Sequence, residues 1–564
     1  MKETFIIILI IEIIVVYFLT AINKLAYLQQ KDYLRKRIFA DKKLLKLTLI
    51  DNWLLLIVIF ELLRLLTGQF EVILLIIESI VLVIVIFNYL LQVIKKRFKK
   101  PRFTIRIMLN LVLVLTPLLL SVFLAHNYIL LATILTLLSL YLIILSNELT
   151  KRVIFIGHRI SMAKAKNSLI PLSELKTIGI TGSYGKSTTK LFLHTLLVDK
   201  FPVLTTPGSI NTDIGIAVYV NSQLKKLSAE KRSYIKYLIL EMDAYFISTI
   251  KRITKYFPLD IAIITGINEQ HLETFSGDIS QTIEANYMIF KGFKLMSDKI
   301  AIFNFSNEYC KELAKRFTAE FNKKYYSYGV SDTGEYDANI SQLVNIVKPG
   351  KNILRFKLNF SRNILSSAIA IELPILGDFN AVNFAGAALV AKLCGLSDSE
   401  IKKNASEITI NNKTLKLSLT QSKIEFIDDS FNSNPSSIDA DIKLLMERNR
   451  VIPTKNILVF PGLVDLNKSS KEIHAKIGQR FANAADSIII TDDNWGNETV
   501  SEINDASKSK FFISSNISLL IAKFKTEYEK LISTGDEVNL RILICGRIPS
   551  ELYKFIINHA DAKF

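Results

Sequence analysis

Hydrophobic and polar residues follow two regimes along this chain. Up to about residue 150 the apolar residues form long unbroken runs such as VILLIIESIVLVIVIF (Val72 to Phe87). Beyond it, short apolar strands alternate with segments whose apolar residues recur at helical spacing. The first regime holds five runs of spanning length, at about 4–22, 47–68, 70–94, 105–125 and 126–149. About 20 apolar residues cross about 30 Å of hydrocarbon as a helix, and a water-soluble core has no need of runs so long. The second regime reads as α/β protein. Its clearest unit is a strand, LKTIGI (Leu175 to Ile180), followed by a helix, STTKLFLHTLL (Ser187 to Leu197).

Composition agrees with a membrane part joined to a water-soluble part. Half of the 564 residues are hydrophobic, and the length suits about three or four domains. The formal charge of +18 would suit nucleic acid, but much of the basic charge flanks the apolar runs. LRKRIFADKKLLK (Leu34 to Lys46) and KKRFKKPR (Lys95 to Arg102) are the main clusters, whereas the connections at Gly68-Gln69 and His126-Asn127 lack Lys and Arg. The positive-inside pattern then places the N-terminus outside and everything after Lys151 in the cytoplasm, with anionic membrane lipids rather than nucleic acid as the partner of the basic residues. Glu12, Glu61, Arg64 and Glu78 fall within spans, where ionisable groups pack helices together or serve a site. Glu61 and Arg64, three apart, are placed to pair, and Pro117 to kink its helix. The cysteines Cys310, Cys394 and Cys545 are far apart with no metal-ligand or disulfide spacing. No cleavage site follows the first apolar run, so no cleavable signal peptide is expected.

The chemistry sits between the strand and helix just named. Gly182, Ser183, Tyr184, Gly185, Lys186, Ser187 and Thr188 form a turn suited to curl backbone amides around phosphates at a helix N-terminus. Lys186 would reach the β- and γ-phosphates and Ser187 would hold Mg²⁺. Ile180 stands where the strict phosphate-loop pattern has its first glycine, so this turn alone is a weak signal for ATP.

Six segments in order are more specific: ITGSYGKSTTK, TTPGSINTDIG, LILEMDA, ITGINEQHLETF, LPILGDFNAVNFAGAALVA and FIDDSFNSNPSSIDA. Together they resemble the Mur ligase superfamily, and DDSFNSNP points to its MurF-type branch. The resemblance runs from Leu175 to the C-terminus. It implies an ATP-dependent amide ligase that activates a substrate carboxylate as an acyl phosphate, which an incoming amine then attacks. It implies roles for Lys186 and Ser187 on the phosphates and first Mg²⁺, for Glu241 as a metal carboxylate, and for His271 as a ligand of a second metal. Asn304, Asn380 and Asn383 match nucleotide-base and interdomain positions. Asp429, Phe431, Asn432 and Asn434 fall in the motif that closes over nucleotide and acceptor. TTPGSIN (Thr205 to Asn211) matches the loop facing the acidic substrate and metal.

The chain departs from that pattern in three places. Asn286 stands where the family carries a carbamylated metal-binding lysine, with Lys291 a turn beyond as a poor substitute. Phe379 replaces a histidine, and of a late basic motif only Gly546 and Arg547 remain, while Asp465 matches an expected acid. Ahead of residue 168, spans and a basic segment stand where the family has its UDP-sugar domain. The expected architecture is therefore a five-span helical transmembrane bundle (1–150) and a basic linker (151–167). A central P-loop Mur ligase domain with a parallel sheet (168–409) and a C-terminal Rossmann-like domain (410–564) follow, hinged near Asn404 to Asn412. The expected activity is a membrane-tethered ligation of an amino acid or dipeptide to a cell-envelope precursor, soluble or lipid-linked, beside other wall-synthesis proteins. A poly-γ-glutamate or folylpolyglutamate-type ligase and a non-catalytic scaffold are the competing readings.

Overall fold

A computed structural model describes residues 2–30, 53–67, 71–94, 101–124, 128–244, 247–268, 278–291, 293, 298–331, 335–348, 351–409, 416–419, 424–430, 435–449, 454–463, 470–532 and 539–559. The chain divides into two compact units, Met1–Ile160 and Ser161–Phe564.

The N-terminal unit is helical. Its helices are Lys2–Gln30, Trp53–Thr67, Glu71–Ile94, Ile105–Leu124 and Tyr128–Leu137, followed by Ser139–Leu169, which continues past the division. Two of the five expected spans coincide with helices long and apolar enough to cross a membrane, Ile6–Gln29 and Val72–Leu91; Ile105–Leu118 is apolar but shorter. A buried helix of a water-soluble core can be as long and as apolar. The first helix outruns the expected 4–22 because its polar end is used inside the unit: Lys24 is buried and donates to Ser139 Oγ at 2.9 Å. Within the run expected at 126–149 the described residues form two helices that meet at Leu138, and the second, from Ser139, continues through the segment expected as a linker. The basic clusters at 34–46 and 95–100 lie outside the described residues.

Apolar side chains such as Leu9, Ile13, Tyr17, Ile57, Leu82 and Ile107 fill the unit's interior. Several polar groups there are bonded between helices. Ser79 Oγ donates to Glu12 Oε1 at 3.0 Å, Tyr17 to the Val114 carbonyl at 2.6 Å, and Arg106 to Asn147 at 2.7 Å. Arg64 and Glu61 pair at 2.7 Å as their spacing predicts, with Glu61 and Glu78 both fully buried. Pro117 lies inside its helix.

The second unit contains two sheets. The larger is nine-stranded, in the order β2-β3-β1-β4-β5-β6-β7-β8-β9. Its strands are β1 (Lys176–Thr181), β2 (Val203–Thr205), β3 (Tyr237–Glu241), β4 (Ile261–Ile264), β5 (Ile300–Asn304), β6 (Tyr326–Val330), β7 (Ala338–Lys348), β8 (Lys351–Phe360) and β9 (Ser367–Leu373). Alternate side chains sink into opposite cores. Ile178, Ile180 and Ile239 meet the helices Lys186–Val198 and Asp378–Leu393 on one face. Leu238, Leu240, Ala262 and Ile264 meet Asp213–Lys226, Ile247–Tyr256 and Glu308–Phe321 on the other. Burial on both faces is why these strands read as continuous apolar runs. The expected purely parallel sheet needs correction: β1 to β7 pair in parallel, but β7-β8-β9 is an antiparallel meander. In β9 the side chains alternate between buried and solvated, the mark of a strand with one wet face.

The smaller sheet has the order β10-β11-β15-β12-β13-β14, built from β10 (Lys416–Leu419), β11 (Glu425–Asp429), β12 (Thr454–Phe460), β13 (Ser487–Ile490), β14 (Phe511–Ile513) and β15 (Asn539–Cys545). All its pairings are parallel except β10 with β11. Leu376, and Phe379 beside it, pack into the core of this sheet with Ile427, Leu458 and Phe460. Lys443 pairs with Asp378 at 2.7 Å across the same junction.

Candidate ATP and metal site

Strand β1 delivers the chain to a sharp turn whose two glycines have no substitute. Gly182 has φ of +144° and Gly185 +76°, conformations that favour glycine. A Cβ on Gly182 would fall 2.3 Å from Thr265 Oγ1, and one on Gly185 would fall 2.4 Å from Asn383 Oδ1. The turn is therefore held against the end of β4 on one side and the helix Asp378–Leu393 on the other. The Thr265 hydroxyl lies within 3.1 Å of the Thr181 carbonyl and also contacts the Tyr184 carbonyl. Ser183 N donates to the Gly266 carbonyl at 2.7 Å, and the Asn268 amide donates to Ser183 Oγ at 3.2 Å. The Tyr184 ring covers Gly266, and its hydroxyl, raised to a pKa of about 12 chiefly by burial, accepts from Asn307 Nδ2 at 3.4 Å.

The helix Lys186–Val198 starts directly at Gly185 with no side-chain cap. Its first amides point out of an uncapped N-terminus, the arrangement that accepts phosphate. Lys186, buried, folds back so that Nζ donates to the Gly182 carbonyl at 2.6 Å and lies 3.7 Å from Asp243. Ser187 is exposed and donates to both carboxylate oxygens of Glu241, at 3.0 and 2.9 Å. Thr188, next along, is half-buried. Glu241 ends β3 and is almost wholly buried. Parallel pairing of β1 with β3 sets Ile180 opposite Glu241, which brings the carboxylate to the phosphate turn.

Magnesium typically takes one or two carboxylates and completes its shell with water and phosphate oxygens. Ser187 and Glu241 fit one such ion. A second ion finds less. Asn286, fully buried, has both ends engaged within the protein: Oδ1 accepts from Thr181 Oγ1 at 2.8 Å, and Nδ2 donates to the Thr282 carbonyl at 2.8 Å. Lys291 is paired with Glu320 at 3.2 Å. Among the described residues no group of three His, Cys, Asp or Glu side chains is placed to hold a metal. His271 lies outside the described residues, as do Phe431, Asn432, Asn434 and Asp465.

The remaining expected positions are legible as supports. Asn304 closes β5, donating to the Thr265 carbonyl at 2.7 Å and accepting from Ser306 N at 2.9 Å. It thereby steadies the threonine that holds the phosphate turn. Asn380 donates to the Leu376 carbonyl at 2.6 Å, and Asn383, buried, abuts Gly185. Asp429 ends β11, where its carbonyl accepts from Gly546 N at 2.9 Å. Burial pushes its carboxyl up to about 7, beside Asp441, which is raised as well.

Sequence reasoning did not single out Lys190 or Asp243, and had Asn211 only as the end of the loop Thr205 to Asn211. Lys190 lies one turn beyond Lys186 and pairs with Glu241 at 2.8 Å. Asn211 Nδ2 reaches both Glu241 and Asp243 at 3.3 Å. Lys190 was the one with a signal, since the i, i+4 spacing from Lys186 puts both ammonium groups on one helix face.

A glycine turn between a parallel strand and a helix, a buried carboxylate at the neighbouring strand end and a second, largely parallel sheet make up a phosphate-binding type of α/β fold. Family profiles agree: the Mur ligase middle domain matches residues 180–391 and the Mur ligase glutamate ligase domain matches 417–544. The chain belongs to the Mur ligase family. Its relatives include the UDP-N-acetylmuramoyl-tripeptide–D-alanyl-D-alanine ligase of Borreliella burgdorferi, 26% identical over 55% of this chain and 61% of that protein. The same-named ligase of Haemophilus influenzae is 26% identical over 60% of this chain and 67% of its own length. The chain thus spans about three fifths to two thirds of those relatives. MurF from Acinetobacter baumannii shares the fold, with a TM-score of 0.59 at 20% identity over 72% of this chain and 80% of that one.

Proposed function

We propose that this chain is a MurF-type, ATP-dependent amide ligase tethered to a membrane. The observation that carries the reading is the contact of Ser187 with Glu241 beside the uncapped Gly185–Lys186 turn. In the proposed reaction a substrate carboxylate takes the γ-phosphoryl group of ATP, and an amine then displaces phosphate to form the amide. Turn amides and the Lys186 ammonium hold the phosphates in line, because positioning and cationic charge do most of the work in phosphoryl transfer. Ser187 and Glu241 would hold one Mg²⁺, which when bound neutralises charge on the phosphate oxygens. The loop Thr205–Asn211 would receive the acidic substrate; its Thr205 and Thr206 hydroxyls are buried and make no protein hydrogen bond. The names of the relatives favour D-Ala-D-Ala as the amine and a muramoyl-peptide as the acid.

Membrane attachment is supported by the apolar surface of the N-terminal unit. Ile7, Ile11, Phe18, Ile59, Ile73, Val83 and Phe87 are all exposed, and most exposed large hydrophobic residues precede residue 161. A water-soluble unit rarely leaves so much apolar surface bare. With the basic clusters on the cytoplasmic side, the ligase unit faces cytoplasmic ATP. A precursor held in the same bilayer gains effective concentration from the tether.

Membranes containing the protein would be incubated with Mg-ATP, a precursor extract and labelled D-Ala-D-Ala, with Lys186→Ala as control. Lys186-dependent label in the lipid extract supports ligation on a carrier. Label in the soluble UDP-linked pool keeps the ligase and reduces the helices to an anchor. Label in neither pool, with labelled glutamate incorporated instead, would replace the MurF-type reading by a polyglutamate-type one.

A further inference from the structure

Glu241 is oversupplied with donors for a residue that must hold a metal. Its Oε1 accepts from Ser187 at 3.0 Å and Asn211 at 3.3 Å. Its Oε2 accepts from Ser187 at 2.9 Å and pairs with Lys190 Nζ at 2.8 Å. Ser187 has a single hydroxyl hydrogen, shared between the two oxygens, so three donors crowd a carboxylate that offers about four acceptor directions. A divalent ion that binds the carboxylate directly comes up against them, and against Lys190 above all.

Of the three donors Lys190 alone carries a charge, and it is deeply placed: its side chain is 6% exposed and that of Glu241 is 2%. The same ammonium donates to the Gly208 carbonyl at 2.6 Å, in the loop proposed to receive the acidic substrate. Lys190 therefore ties together the phosphate-loop helix, the metal carboxylate and the substrate loop. A free divalent cation approaching Glu241 meets this ammonium and is repelled. A metal arriving on a nucleotide is different, because phosphate oxygens give the displaced ammonium a new anionic partner.

On the reading that Glu241 is a metal carboxylate, we infer that Lys190 is its internal counter-ion, a positioning residue that keeps Glu241 closed to free divalent cations and bound to the Gly208 loop until nucleotide delivers the metal. A buried salt bridge with a purely structural role would stabilise the fold without affecting metal affinity. Removing its charge here opens the carboxylate instead.

The test is Mn²⁺ binding to the full-length chain in detergent, followed by the electron paramagnetic resonance of free Mn²⁺ without nucleotide. Lys190→Met is expected to bind Mn²⁺ at least about tenfold more tightly than the unsubstituted protein, with Lys190→Arg unchanged. Lys190→Gln removes the charge while keeping a donor for Gly208, and serves if the Met variant does not fold. Unchanged or weaker Mn²⁺ binding in a folded charge-neutral variant overturns the inference. Glu241→Gln, titrated with ADP present, separates the two readings. If its Mn²⁺ affinity does not fall, Glu241 is not a metal carboxylate and the proposed site itself fails. If it falls while the Lys190 variants match the unsubstituted protein, the counter-ion role alone fails.

Discussion

Substituting Gly185 by alanine separates two costs that the phosphate turn combines. The first is backbone strain: at φ of +76° an L-residue costs about 1–2 kcal/mol relative to glycine. The second is steric, since the new Cβ would fall 2.4 Å from Asn383 Oδ1, and Asn383 is buried with little room to retreat. In the absence of nucleotide the alanine variant can relax towards negative φ. Binding phosphate then requires the original turn, so the strain reappears as lost affinity of about 5- to 30-fold. The clash adds to this in the single variant and vanishes in Gly185→Ala/Asn383→Ala. Titration with a fluorescent ADP analogue across the four proteins of this cycle measures both parts, the coupling between the sites being the steric one. Gly185→Ala should weaken binding by more than the strain alone, and the double variant should recover part of the loss. Full recovery in the double variant, or no loss in the single one, would refute the argument that the turn needs positive φ.

Other outcomes follow from the same geometry. Ser187→Ala removes the hydroxyl joining the phosphate turn to Glu241; the Mg²⁺ concentration for half-maximal ADP formation should rise at least about tenfold, with melting temperature nearly unchanged. Arg541 and Glu425 form a buried pair at 2.6 Å between β15 and β11. Arg541→Met strands the carboxylate and should cost about 3–5 kcal/mol in denaturant unfolding of the ligase unit, whereas breaking an exposed pair such as Lys476 with Glu472 should leave unfolding nearly unchanged. Asp429 is raised to about 7 and faces Asp441, with Asp428 and the Cys545 thiol adjoining. A carboxyl raised on folding binds more protons folded than unfolded, so its contribution is complete below about pH 4 and lost as pH climbs through about 7. Asp441→Asn relieves the like-charge contact and should raise the melting temperature more at pH 8 than at pH 5; equal gains at both would count against that contact.

Much of the ligase unit was readable because its order is written in short-range patterns. An apolar strand, two glycines, a lysine and a helical period specify strand, turn and helix, and Glu241 follows a second fully apolar strand. The β7-β8-β9 meander was missed because its alternation is visible only once one face is known to be wet. Lys190 was missed for another reason: a lysine on a helix face reads as solvated until β3 is known to pair with β1. Asn286 was noticed as a departure, but its bonds to Thr181 and Thr282 join residues up to 105 positions apart, beyond what local pattern can show. In the N-terminal unit apolar length was plain, while the helix boundary at Leu138 and the helix through 151–167 depend on packing that hydropathy does not encode.

The central claim is that this turn, Lys186 and Glu241 form an ATP site that drives amide formation. The most direct measurement is ADP formation by the full-length chain in lipid bilayers with a muramoyl-peptide precursor and D-Ala-D-Ala, each supplied alone and together. The account predicts ADP, phosphate and ligated peptide in equal amounts only when both substrates are present, and none of them in Lys186→Ala or Glu241→Gln. ATP consumption indifferent to the substrates, or product formation that survives both substitutions, would contradict it.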